Sequence, residues 1–186
     1  MVIFDKTGTP TRGSPAVSGV AAAPGTSEND LIARAAAVES NSEHPLAKAI
    51  VTEAKRGNVT QVSATNFEAL AGRGAKALVD GKSVEVGGPR LLTEAKIAVP
   101  PEVEKLTTAW DLDEKTVLYC VAQGQLLGAF AVEDEIRPES KEAVTELHDL
   151  GVQVAMITGD SIQIQILAFD RSPIQLRRNK NRHRQK

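Results

Sequence analysis

Residues 1–11 read Met-Val-Ile-Phe-Asp-Lys-Thr-Gly-Thr-Pro-Thr, MVIFDKTGTPT. Met1 to Phe4 form a short apolar run that suits a buried strand, and Asp5 to Thr11 form the polar, glycine-containing loop that ends it. Within that loop stand a carboxylate that can act as a nucleophile, a cation and hydroxyl groups. A second stretch, Met-Ile-Thr-Gly-Asp-Ser at residues 156–161, repeats the design. Val152 to Ile157 is nearly all apolar, as expected of a parallel strand covered on both faces, and Thr158-Gly159-Asp160 closes it. Open α/β sheets bind ligands at the carboxyl ends of such strands, so Asp5 and Thr158 are expected at one crevice despite their separation in sequence.

Between these two strands the hydrophobic period changes. Thr26 or Ser27 is placed to cap a helix from Glu28 to about Ser40, and Pro45 opens a second helix that Gly57 stops. A strand-like patch covers Ala16 to Val20. From Val59 to Gly88 the period is two, with Phe67 to Leu70, Ala75 to Val79 and Ser83 to Val86 as strands and Asp80-Gly81 as a hairpin turn. Leu91 to Ile97 and Pro101 to Trp110 are weaker helices. Thr116 to Ala122 and Leu126 to Val132 make a second hairpin, turning at Gln123 to Gln125. Pro138 to Leu150 returns to helical spacing with Gly151 at its end. The pattern predicts an α/β domain, built from the first strand and the last helix-strand unit, interrupted by an α+β insert with an antiparallel sheet.

The 186 residues are 41% hydrophobic and 3% aromatic, so the core must be built mainly from Ala, Val, Leu and Ile. The net charge of −2 hides an asymmetry: from Ser161 onward there are seven Lys/Arg and one Asp, leaving the body acidic and the tail basic. The lone cysteine, Cys120, excludes an internal disulfide and a multi-cysteine metal site within one chain. No apolar run reaches the length of a membrane span, so the chain is expected to be soluble. Arg171 to Lys186 has no aromatic residue and no periodicity, so disorder is its expected state and nucleic-acid binding is not expected.

DKTGTPT strongly resembles the DKTGTLT phosphorylation motif of the P-type ATPases, with Pro10 in place of leucine, and MITGDS resembles their TGD motif. Ser42-Glu43-His44-Pro45-Leu46 resembles the signature of the nucleotide-binding domain in the heavy-metal-transporting (P1B-type) branch. Gly72-Arg73-Gly74 looks like the GxG of the same pocket. Gly87 matches the glycine of its later Gly-Asn pair, where Gly88 stands for the asparagine. The resemblance covers about residues 1 to 161.

It implies a partial haloacid-dehalogenase-like (Rossmann-type) phosphorylation domain at 1–13 and 133–161, a nucleotide-binding domain at 14–132, and a non-family basic tail at 162–186. ATP would phosphorylate Asp5, with Lys6 screening charge, Thr158 holding the phosphoryl group, and Gly159 and Asp160 shaping that loop. Asp5 and Thr7 would bind Mg2+. Glu39 would read the adenine edge, His44 would orient the nucleotide, and Gly72, Gly74 and Gly87 would line the pocket. The implied partners are ATP or ADP and the membrane and actuator domains of a metal pump, most like the copper-transporting members. The place of action would be the cytoplasmic face of a membrane, with the piece itself monomeric and weak in turnover. Two other functions fit parts of the pattern: a soluble phosphatase of the haloacid dehalogenase superfamily, and a catalytically silent nucleotide-binding module. The phosphatase would carry a second aspartate where Thr7 stands, and it leaves the SEHPL segment unexplained.

Overall fold

The computed structural model describes residues 2–5, 11–136, 138–152, 154–158 and 161–166. The chain divides into two compact units, one made of Met1–Arg12 with Ile136–Lys186 and the other of Gly13–Glu135.

In the first unit, β1 (Val2–Asp5) pairs in parallel with β8 (Val154–Thr158), in the register Val2↔Val154 through Asp5↔Ile157. Val2 to Phe4 pair with Val154 to Met156, so both strands end at nearly the same level. Helix α5 (Pro138–Asp149) precedes β8 and ends at Gly151, whose φ of +72° suits the residue after a helix. Beyond the second motif a strand, β9 (Ser161–Ile166), turns back antiparallel on β8, with Thr158 opposite Ser161. Ile162, Ile164 and Ile166 alternate with glutamines along it, the period of an extended strand. The tail from Leu167 lies outside the described residues.

The second unit is a six-stranded sheet in the order β2-β7-β6-β5-β4-β3. Its strands are β2 (Thr11–Ala22), β3 (Ala64–Leu70), β4 (Gly74–Val79), β5 (Lys82–Gly87), β6 (Thr116–Ala122) and β7 (Gln125–Ile136). β2 and β7 extend furthest beyond their sequence signals. β2 runs twelve residues rather than the five of Ala16 to Val20, and it accommodates Pro15 because it is the edge strand. β7 continues four residues beyond Val132, through Glu133, Asp134, Glu135 and Ile136. The chain crosses from one unit to the other within these two strands, at Arg12/Gly13 and Glu135/Ile136. Lys115 Nζ, 3.3 Å from Glu133 Oε1 and 3.4 Å from Ser18 Oγ, links them.

Four helices cover this sheet. Helix α1 (Glu28–Glu39) is capped by Ser27, whose Oγ accepts from the Asp30 amide at 3.1 Å. Helix α2 (Pro45–Arg56) ends at Gly57, α3 spans Pro89–Ala95 and α4 spans Pro101–Leu112; each of these three begins at proline, where a missing N–H costs nothing. Leu31, Ile32, Ala35 and Val38 of α1 and Ala49, Ile50 and Ala54 of α2 pack on Ala75, Ala77, Val79, Val84, Val86, Cys120 and Phe130. On the opposite face Leu91, Leu92 and Val103 from α3 and α4 pack on Val117, Tyr119, Val121 and Ala129. β6 is therefore buried from Val117 through Val121 without alternation, because both of its faces are covered.

The sheet has an irregularity where α1 lies on it. Cys120 pairs with Gly128 and Val121 with Leu126, so Leu127 is an extra residue in β7. Gly128 has φ +154°, and a Cβ there would stand 2.3 Å from the Ala21 carbonyl oxygen and 2.5 Å from Leu31 Cδ2. Gly128→Ala is therefore expected to destabilise the second unit by about 3 kcal/mol or more, while Gly124→Ala, in a turn with open space around it, costs about 1 kcal/mol. Urea denaturation followed by far-UV circular dichroism measures both; equal losses at the two positions would contradict the packing of α1 over the bulge.

Candidate nucleotide and phosphorylation sites

Glu39 is the last residue of α1, and its side chain is buried at 7% exposure. A carboxylate is poorly placed there twice over. It is out of water, and the helix carboxyl end already carries partial negative charge. The Ser42 hydroxyl hydrogen-bonds to it, and the Ser42 amide donates to the Glu39 carbonyl at 3.0 Å, closing the turn. Burial outweighs the Ser42 bond and pushes the Glu39 carboxyl up to about 7. A buried acid with one neighbouring hydroxyl is suited to recognise a ligand donor.

His44 follows in the same turn and is exposed. Its Nδ1 accepts from the Leu46 amide at 3.2 Å, making it the N-cap of α2, and its own amide donates to Ser42 Oγ at 3.4 Å. The cap uses Nδ1 as its acceptor and leaves Nε2 out of it. Ser42 thus touches both Glu39 and His44, a role that the sequence signalled only by its place inside SEHPL.

The three glycines are not equivalent. Gly74 and Gly87 are cross-strand partners in β4 and β5. A Cβ on Gly74 would lie 1.9 Å from the Val86 carbonyl oxygen, and one on Gly87 would lie 1.9 Å from that of Arg73. Both positions are glycine because two backbones meet. Gly72, with φ +68°, faces open space, the nearest atom to its would-be Cβ being Arg90 Nη1 at 3.8 Å. Gly72 is the member of the set that leaves room for a ligand. Gly88, the N-cap residue of α3, makes no side-chain cap and has nothing within 4 Å of a would-be Cβ.

The turn and the glycines are joined through the sheet. Cys120 is fully buried, its thiol pushed up to about 12 first by desolvation, and it feels Arg34, Glu39 and Asp30. Cys120 is the register partner of Val86, the residue before Gly87. At the other end, Arg34 Nε donates to Asp30 Oδ1 at 2.9 Å, and its Nη1 lies 3.8 Å from Asp80 Oδ2 in the β4-β5 hairpin. That contact spans α1 and the hairpin, while the packing of Leu31, Ala35 and Val38 holds the helix on the strands.

In the first unit, the register sets Asp5 and Thr158 at the carboxyl ends of neighbouring parallel strands. Lys6, Thr7, Pro10, Gly159 and Asp160 lie outside the described residues. Among the described residues, no three His, Cys, Asp or Glu side chains gather as a metal site, and no helix is long and apolar enough to cross a membrane.

A family model described as haloacid dehalogenase-like hydrolase matches residues 1–174, and the chain belongs to that family. Within it the chain falls with the P-type ATPases. It is 41% identical over 160 residues to a copper-transporting P-type ATPase of Rhizobium leguminosarum bv. viciae and 36% identical over 160 residues to a copper-exporting P-type ATPase of Staphylococcus aureus. Each match covers 86% of this chain, which spans 19% of the length of those relatives. Among solved structures, a zinc-transporting PIB-type ATPase in its E2.Pi state matches with a TM-score of 0.75 at 36% identity, over 87% of this chain and 26% of that one. The N-domain of HMA8, a copper-transporting P-type ATPase, matches with a TM-score of 0.52 at 33% identity, over 63% of this chain and 99% of that domain.

Two measurements check the local chemistry. Glu39 has a folded-state pKa of about 7 against an ordinary 4.5, so the folded state holds a proton that the unfolded state releases between those pH values. Stability attributable to Glu39 falls as pH rises through that window, by on the order of 3 kcal/mol at most, and levels off above it. Glu39→Gln should match the wild type near pH 5 and exceed it in urea midpoint at pH 8; parallel pH profiles would remove the buried-acid assignment. For the glycines, Gly74→Ala and Gly87→Ala are expected to lower the melting temperature by several degrees, and Gly72→Ala by much less. Loss of fold at Gly72 equal to that at Gly74 would contradict the open space above it.

Proposed function

We propose that this chain is the ATP-binding, phosphate-accepting portion of a heavy-metal-exporting P-type ATPase, with copper as the transported metal, acting at the cytoplasmic face of a membrane. The Gly13–Glu135 unit is the nucleotide-binding domain. Glu39 accepts from the adenine amino group and Nε2–H of His44 meets the nucleotide, while the open space over Gly72 receives it and Gly74 and Gly87 bring β4 and β5 together behind it. Asp5 supplies the attacking carboxylate oxygen. A bond forms from that oxygen to the γ-phosphorus, the bond to the bridging oxygen breaks, and ADP leaves. Thr158 holds the phosphoryl oxygens, Lys6 balances their charge, and Gly159 and Asp160 shape the loop beside them. Asp5 and Thr7 would hold Mg2+, which would supply neutralisation of phosphate charge. The membrane and actuator domains of the parent pump are the protein partners.

The observation that carries this proposal is the parallel register that ends β1 at Asp5 beside the end of β8 at Thr158. It is supported by the copper-exporting relatives and by the threonine at position 7, where a second acid would hasten hydrolysis of an acyl phosphate.

Incubation of the full chain with γ-32P-ATP, followed by an acid gel, tests it. A labelled band that hydroxylamine removes and Asp5→Asn abolishes is expected, at low yield, with ATP-induced amide shifts centred on Glu39, His44, Gly72 and Gly74. Nucleotide binding without any acid-stable label would reduce the chain to a binding module, and rapid steady release of phosphate would make it a phosphatase.

A further inference from the structure

A group of three charged side chains beside Gly72 has no part in the assignments above. Arg73 Nη1 donates to Glu94 Oε2 at 2.8 Å, and Arg90 Nε donates to Glu94 Oε1 at 2.7 Å. One carboxylate thus spans two guanidinium groups that come from different elements, the turn between β3 and β4 and the start of α3. The Arg73 amide is fixed by its bond to the Leu70 carbonyl at 2.9 Å, and glycines with φ +68° and +132° flank it. Arg90 Nη1 borders the open space over Gly72. The three charges sum to +1, on a body whose balance is strongly negative.

We propose that Arg73 and Arg90 bind the phosphate chain of the nucleotide, and that Glu94 is a built-in substitute anion that the phosphates displace. The proposal rests on the nucleotide-binding reading above. Guanidinium groups pair with carboxylate and phosphate through the same forked geometry, so the groups that hold Glu94 are already oriented for phosphate oxygens. All three side chains are substantially exposed, at 40% for Arg73, 68% for Arg90 and 37% for Glu94. Exposed pairs of this kind are weakly held and exchange readily. The hydrogen bonds from Arg73 and then Arg90 hold the Glu94 carboxyl below its ordinary range, so it stays ionised as a competitor at neutral pH. The site would therefore favour ligands with more phosphate charge than one carboxylate can match, discriminating ATP and ADP from adenosine. Arg73 cannot be read from the GxG pattern, whose middle residue carries no constraint, and its pairing with Glu94, 21 residues away, exists only in the fold.

Isothermal titration of the full chain with adenosine, AMP, ADP and ATP, with tripolyphosphate as competitor, tests the proposal. In the wild type, affinity should rise with phosphate number and tripolyphosphate should compete with ATP. Glu94→Gln should tighten ATP about threefold to tenfold and leave adenosine unchanged. Arg90→Gln and Arg73→Gln should each weaken ATP about threefold to tenfold, again with adenosine unchanged, and Arg90→Lys should recover part of the loss. Adenosine and ATP binding equally well, with the three variants indifferent, would overturn the phosphate role and leave the adenine site intact. Glu94→Gln that weakens ATP and lowers the melting temperature together would show a strut rather than a substitute anion. Absence of binding by both adenosine and ATP would remove the underlying nucleotide site as well.

Discussion

The burial of β6 on both faces is the constraint on which the second unit depends. Val117, Tyr119 and Val121 face one pair of helices while Leu118 and Cys120 face the other. A strand covered twice needs small or well-shaped neighbours on each side, and the composition supplies them in alanine and valine rather than aromatics. Phe130, fully buried on β7, is the largest of the fully buried side chains. The surface ion pairs contribute little by comparison, since exposed pairs are worth about 0–1 kcal/mol each and a buried Phe side chain several times that.

That two-sided burial also positions the chemistry. With α1 fixed on the sheet by Leu31 and Val38, its last residue goes under cover, and that residue is Glu39. The protein places an acid where both solvation and the helix dipole disfavour charge. Nearby, Gly74 and Gly87 let β4 and β5 approach too closely for any side chain, which sets the turn carrying Arg73 next to the start of α3. A glycine packed against backbone, Gly74, and one facing open space, Gly72, thus sit two residues apart, and only their surroundings tell them apart.

Much of this was legible along the chain. Ser27, Pro45, Gly57, Asp80-Gly81 and Gly151 mark their caps and turns because each acts through its own backbone conformation or its nearest amides. The lengths of β2 and β7 were not legible. Thr11 to Pro15 and Glu133 to Ile136 lack apolar alternation, and they are extended because each has the other strand to bond to. The bulge opposite Cys120 was not legible either, because a lone Gly128 in a strand signals irregularity without saying what approaches it.

For the candidate sites the division follows the range of the interaction. Residue type and order alone determined that Asp5, Thr158, Glu39, His44 and the glycines are the chemically notable positions, since a motif is a statement about local spacing. The tertiary structure decided that Asp5 and Thr158 end side by side, that Glu39 is desolvated and raised toward neutrality, and that Glu94 bridges two arginines from separate elements. Pairing registers, burial and long-range charge contacts depend on residues distant in sequence, and those meet only when the strands and helices pack.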